Sequence, residues 1–409
     1  MKSADTPSPK TETGHATCPA SDATWMGGVR PALEGFRVFD QLRNQADQCF
    51  FSQGNGFHVL LRHDDILQAA RDTETWSNDY FVDPSVGGSP PFKLKPVHLD
   101  PPEHQPWRKL LAPYFSPGRI RTLDARMRQV MRILVDDLVD RGSCDFVKDI
   151  SLRYPTAVFL EMLGLDLENL AQFLEWETSI LHPGPDSRMG PVEAQDAVCS
   201  YFRGLVAERR ASPDSQRGDL ISEALSWELN GAPLTDDDLE AWLLMMFEAG
   251  LDTVTAQLSY AWLHLATHPR DRELLLEDPS RTPAMVEELL RLYPTVNLPR
   301  AAKKDTVIGE CTIKQGDYVV LCLASSGRDE RIHERPFDIN LDRTQPHLSF
   351  GAGPHRCLGS HLARHEMVVA LEEWHRVIPN YQVANGADVE EVVSTLFGLR
   401  NLPLTWSPT

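Results

Sequence analysis

Residues 350–364 read FGAGPHRCLGSHLAR. A single cysteine, Cys357, stands among glycines just ahead of a stretch with helical periodicity, His361 to Val377. Gly351, Gly353 and Gly359 permit backbone angles that other residues resist, and Pro354 stiffens the loop they form. N–H groups at the start of the following helix point back at the sulfur and, with the helix dipole, favour a thiolate. A buried free cysteine in a Gly-rich turn is the plainer alternative. For a bare Gly-x-Gly-x-x-x-Cys that alternative would be preferred.

A second stretch bears on the choice. Leu234 to His268 is the longest helical signal in the chain, opened in capping fashion by Thr235 and Asp238. Its middle reads AGLDT, residues 249–253. Gly250 lets a helix bulge open. Thr253 then offers a hydroxyl and Asp252 a carboxylate beside it, an acid–alcohol pair suited to handing on protons. The plain reading is a threonine bonded back to a helix carbonyl and a solvated aspartate. Three further features stand around these two: DPPEHQPWR (residues 100–108), with His104 and Arg108 at i,i+4 on one helix face; ELLR, in which Glu288 and Arg291 form an i,i+3 pair; and Arg300 in NLPRAAKKD.

Together these stretches resemble the cytochrome P450 family. Phe350, Gly353, His355, Cys357 and Gly359 fill its cysteine-loop pattern F-x-x-G-x-H-x-C-x-G, and AGLDT fills its A-G-x-D/E-T pattern about a hundred residues earlier. The similarity runs from about Gly56 to Trp406 and is closest to soluble bacterial members, including the camphor-hydroxylating type.

The resemblance implies a mainly α fold with a minor β region: one triangular-prism domain with the long helix lying over a heme. It implies heme b (iron protoporphyrin IX) as cofactor, with Cys357 as the metal ligand and Asp252 and Thr253 as a proton relay. His104, Arg108, Arg300 and His355 are implied as contacts of the heme propionates. Glu288 and Arg291 are implied as a buried structural pair, with Arg335 or Asp338 open as its third member. The implied reaction is activation of O2 and hydroxylation of a C–H bond in a small hydrophobic molecule. Coupling or isomerisation, or a non-catalytic heme sensor, are the alternatives.

Pocket residues are expected from the loop near Tyr80 to Val97, the long helix, the stretch after ELLR and the last strand pair near Val392 to Trp406. Phe81, Met245, Glu248, Ala249, Val296 and Phe397 are the candidates. Glu248, one turn before Asp252, stands where relatives carry an apolar residue. Buried unpaired, a carboxylate there is costly; it binds a polar or cationic substrate group, or it turns to a protein partner. Electrons come from outside the chain, which implies a ferredoxin and its reductase docking near Lys109, Arg356 and Arg364.

The rest of the chain is consistent with this. It has 409 residues, 24% charged and 42% hydrophobic, in ordinary globular proportion. A net charge of −19 disfavours nucleic-acid binding. No apolar run approaches membrane-spanning length, and residues 1–25 are polar, without the apolar centre of a signal peptide, so they read as a disordered tail on a cytoplasmic protein. Residues 26–409 read as one domain. Short strands are expected at Phe57 to Arg62, Asp305 to Ile313 and Tyr318 to Leu323. The seven cysteines are odd in number and hold no C-x-x-C pair, which argues against a disulfide framework or a structural zinc site. His264 with His268, and His361 with His365, are spaced to pinch a metal but lack a third ligand.

Overall fold

The computed structural model describes residues 18–21, 27–79, 92–181, 187–211, 219–394 and 396–407. Helices dominate, and one pair of them runs through the centre. Thr235 and Asp238 form a reciprocal capping box, from which Asp236–Gly250 rises. Asp252–Thr267 continues it, almost every residue buried. A helix buried on all sides belongs in the middle of a large core, and Trp242 and Trp262 are fully enclosed there.

The expected single helix from Leu234 to His268 is therefore interrupted. Leu251 falls between the two helices with distorted right-handed angles, φ −96° and ψ −68°. Gly250 faces the Phe159 ring so closely that a Cβ there would lie 3.0 Å from it. The break falls within AGLDT, and close packing against the helix Arg153–Leu163 fixes its place.

A six-stranded sheet is the largest of the sheets in the minor β region, in the order Ala20–Ser21, Cys49–Ser52, Phe57–Leu60, Tyr318–Leu321, Leu298–Ala302, Trp76–Ser77. Phe57–Leu60 is buried along its whole length and pairs on both sides, parallel with Tyr318–Leu321 and antiparallel with Cys49–Ser52. Arg300 is set into this sheet opposite Val319. The helix Thr282–Leu292 packs on Ser360–His375, the helix behind the cysteine loop. Among the described residues, no helix is long and apolar enough to cross a membrane.

Four expectations change. Asp305 to Ile313 is a hairpin of Thr306–Ile308 and Cys311–Ile313 rather than one strand, because Gly309 takes φ +57° and turns the chain. Within residues 1–25, Cys18 to Ser21 are not a disordered tail: Cys18 is buried and Ala20–Ser21 pairs in parallel with Phe51–Ser52. Cys18 is joined to Cys311 by a disulfide across 293 positions, a pairing that spacing does not reveal. The third member of the ELLR pair is Arg343, not Arg335 or Asp338. Arg291 Nε donates to Glu288 Oε1 at 2.7 Å and Arg343 Nε donates to the same oxygen at 2.9 Å. Asp338 contributes only its carbonyl, 3.1 Å from Arg291, while its side chain pairs with Arg335 at the surface.

This triad is nearly sealed, with Glu288 and Arg343 side chains each 5% exposed. Removing one partner of such a buried ionic group leaves charge uncompensated. Arg343→Ala is expected to lower unfolding free energy by on the order of 3 kcal/mol in denaturant titrations. A loss under about 0.5 kcal/mol, typical of a surface change, contradicts a structural role for the triad.

Candidate active site

The cysteine loop is held by its backbone. Cys357 N–H donates to the Phe350 carbonyl at 2.8 Å, closing the loop on itself. Gly353 sits at φ +70°, and a Cβ on it would lie 2.3 Å from the Ala70 carbonyl oxygen, so no other residue fits. The Gly359 N–H reaches the Cys357 sulfur, as the loop-to-helix arrangement predicts.

Burial nevertheless dominates at that sulfur. It pushes the thiol up, against the lowering pull of the Gly359 N–H and of Arg108, Arg356 and Arg364. A bound metal cation would offset that burial and favour the thiolate. Cys357 also carries accessible surface. Ala249 is exposed too, on a helix whose Leu243, Leu244 and Phe247 are buried.

Four basic residues converge near the loop. The His104 and His355 rings lie against each other at a 34° tilt, with centroids 3.9 Å apart. Arg300 is 5% exposed, and its NH1 donates only to the Pro299 carbonyl, at 2.7 Å. Arg108 donates to the Arg356 carbonyl at 2.5 Å. Burial pushes His104 down to about 4 and His355 down to about 2, each helped by neighbouring cations, and pushes Arg300 down to about 10. Both His104 nitrogens, His355 Nε2 and one Arg300 nitrogen are buried without a hydrogen-bond partner. Among the described residues none of the four forms an ion pair. Asp100, the nearby acid, is taken up by Ser77 at 2.6 Å, the Asn78 N–H at 2.9 Å and Lys303 at 3.0 Å. Buried donors without acceptors call for an anion with several oxygens. The two propionates of heme fit that requirement, above a cysteine that fits the iron.

Across the long helix, Met245, Ala249 and Thr253 are four residues apart and share one face. The Thr253 hydroxyl donates to the Ala249 carbonyl at 3.0 Å, the plain reading of that residue. Asp252 is not solvated, as the plain reading has it, but 1% exposed. Its buried neighbour is Glu177, which sequence reasoning missed. Burial first, and the Asp252 charge second, hold the Glu177 carboxyl well above the usual range, and the Thr156 hydroxyl donates to it at 3.3 Å. No local pattern in Leu170–Leu181 marks Glu177, since only tertiary packing brings it to Asp252.

The pocket candidates divide. Val296 is half-buried and bridges to Leu396. Phe397 is a core residue instead: fully buried, its ring lies 5.0 Å from Phe36 and 5.9 Å from Phe39. Strand alternation turns Leu396, which bridges to Val296, to the opposite face from Phe397. Glu248 has a protein partner, the Gln195 amide, which donates at 3.1 Å. Phe81 lies outside the described residues. His264 uses both ring nitrogens, on the Tyr293 hydroxyl and Asp271, each at 2.9 Å, and His365 meets Asp124 at 2.8 Å.

A brace ties the loop to the helix Thr282–Leu292. Arg364 lies over the Phe350 ring at 4.5 Å and donates to both Glu287 oxygens, at 2.5 and 2.9 Å. His347 reaches the same carboxylate at 3.1 Å. Burial raises the Glu287 carboxyl, but these partners outweigh it and hold it at about 2. A depressed carboxyl stabilises the fold above its unfolded value and loses that contribution as pH falls toward its folded value. Glu287→Gln is therefore expected to lower the thermal midpoint at pH 7, with the gap to the wild type narrowing below the ordinary value of 4.5. A gap that widens on acidification contradicts the brace.

Comparison with known proteins agrees with this geometry. The family described as Cytochrome P450 matches residues 168–406. A probable cytochrome P450 127A1 of Sinorhizobium fredii is 33% identical over 87% of this chain and 84% of its own length. A steroid C26-monooxygenase of Mycobacterium tuberculosis is 29% identical over 89% of this chain and 99% of that protein. The solved structure of CYP101J2 superposes with a TM-score of 0.87 at 27% identity, covering 97% of this chain and all of the other. With a relative above 30% identity along most of its length, and with a family match over more than half of it, the chain belongs to the cytochrome P450 family.

Proposed function

We propose that this cytochrome P450 monooxygenase hydroxylates a C–H bond of a small, largely hydrophobic molecule of terpenoid, aromatic or similar type, drawing electrons from a ferredoxin and its reductase. The observation that supports the reading is the interrupted helix: at its break, Thr253 follows the buried Asp252, which interacts with Glu177, and the Thr253 hydroxyl bonds back to Ala249, one turn from Met245. Heme, the family's cofactor, supplies the oxygen chemistry when bound. The chain supplies position and protons. His104, Arg108, Arg300 and His355 hold the propionates, and Cys357 the iron.

Asp252 is buried next to Glu177, whose carboxyl is held well above the usual carboxylate range by burial and by the Asp252 charge. An acid–base pair of this kind passes protons inward toward the Thr253 hydroxyl, the group at the break. Met245, Ala249, Val296 and Leu396 offer substrate an apolar wall. Glu248 already has Gln195 as partner, which favours an apolar substrate over a cationic one. The relative that is a steroid C26-monooxygenase points the same way. Lys109 and Arg356 are exposed and suit an acidic ferredoxin, whereas Arg364 is tied to Glu287 and serves the loop instead.

The test pairs binding with turnover. Apolar compounds titrated into the ferric protein are expected to shift its visible spectrum from low to high spin. Asp252→Asn is expected to leave that shift intact and to lower product formation about a hundredfold. A shift produced only by charged amines overturns the substrate class, and undiminished turnover in Asp252→Asn overturns the relay.

A further inference from the structure

On the sheet side of the molecule, four residues from three separate stretches of chain meet: Cys18, Cys49, His58 and Cys311. All are buried, and their ligand atoms lie within 4.8 Å of one another. The sheet register explains the convergence. Phe51 pairs with His58 and Cys49 with Leu60, so Cys49 and His58 point from adjacent strands to one face. Ala20 pairs with Phe51, which brings Cys18 to the same place. The hairpin strand Cys311–Ile313 closes it from the other side.

A disulfide accounts for only two of the four. Cys18 and Cys311 form one. Cys49 alone passes as a small buried hydrophobe. His58 does not: it is fully buried, with Nδ1 3.9 Å from the Cys18 sulfur and Nε2 3.6 Å from an Asp317 carboxylate oxygen. A histidine that turns one nitrogen to a cluster of sulfurs and the other to a carboxylate has the orientation of a metal ligand set by its outer partner. Three sulfurs and one imidazole select zinc, and a tetrahedral zinc site spaces its ligand atoms about 3.3–3.8 Å apart, a spacing that opening the Cys18–Cys311 bond and small shifts within the 4.8 Å cluster would reach.

We propose that, in the reduced protein, Cys18, Cys49, His58 and Cys311 bind one structural zinc ion, and that the Cys18–Cys311 disulfide is the oxidised, metal-free closure of the same site. The two forms interconvert with a dithiol. The dithiol gives up two electrons and two protons and becomes a disulfide, the Cys18–Cys311 bond breaks, and both sulfurs become thiols. Zinc then binds three thiolates and the neutral His58 through Nδ1, releasing three protons to solvent. Either closure pins the segment at Cys18 to the sheet that carries Arg300. In a compartment that keeps thiols reduced, the zinc form is the one that persists.

The test uses the heme-loaded protein, incubated with zinc and a dithiol and then freed of loose metal. Elemental analysis is expected to find about one zinc per chain. Cys49→Ser and His58→Gln are each expected to lower retained zinc at least about tenfold, while the thiolate-type ferrous–CO spectrum shows that the fold persists. Cys49 lies outside the disulfide, so a purely disulfide role predicts no effect there. Zinc X-ray absorption on the wild type gives a reading that needs no variant: a shell of three sulfurs at about 2.3 Å and one nitrogen at about 2.0 Å is expected. Retained zinc below about one-tenth per chain, or an oxygen and nitrogen shell without sulfur, overturns the proposal. These outcomes are independent of whether the protein hydroxylates anything.

Discussion

Burying basic groups without an acid is expensive, and this fold does so beside its cysteine loop. Arg300, Arg108, His104 and His355 gather there, and Asp100, the nearby acid, is occupied by other donors. Each is fixed by a different device. Arg300 is carried in a sheet ladder opposite Val319. His104 and Arg108 rise from one face of His104–Leu111. His355 is placed by the contact of Gly353 with the Ala70 carbonyl. A scaffold that pre-positions donors at this cost is complementary to an anion that arrives later, and it gains its energy back on binding. Heme, with two carboxylates at its edge, is that partner, and the position of Cys357 relative to the basic set then follows from one rigid molecule.

Two neighbouring acids on Thr282–Leu292 keep the loop from moving. Glu288 faces inward to Arg291 and Arg343, nearly sealed from solvent. Glu287 faces the loop and takes Arg364 and His347. Arg364 also covers Phe350, whose carbonyl receives the Cys357 N–H. The chain of contacts from the core to the sulfur is therefore short and made of charge-assisted hydrogen bonds, which are stronger and more directional than neutral ones.

Features governed by local chemistry were legible in the sequence: the capping box at Thr235, the glycine-shaped turn around Cys357, the helix after it and the hydroxyl at the break. Features governed by approach between distant segments were not. Arg343 lies 55 residues from Glu288 along the chain, and nothing in its own surroundings distinguishes it from Arg335. Glu177 meets Asp252 only because two helices pack. Phe397 and Leu396 differ by one position, and a period of two turns that small uncertainty into opposite faces. The cysteine cluster escaped notice because its members come from separate stretches of chain, so that no spacing rule applies, and two of them, Cys18 and Cys49, lie where no strand was expected.

The central claim is that Cys357 is the thiolate ligand of the heme iron, and the most direct measurement is the ferrous–CO spectrum of the wild type beside that of Cys357→Ala. The wild type is expected to give the thiolate-type spectrum and the variant, with heme retained by the basic set, to lose it. A variant that keeps the thiolate-type spectrum would place the ligand on another residue and contradict the account.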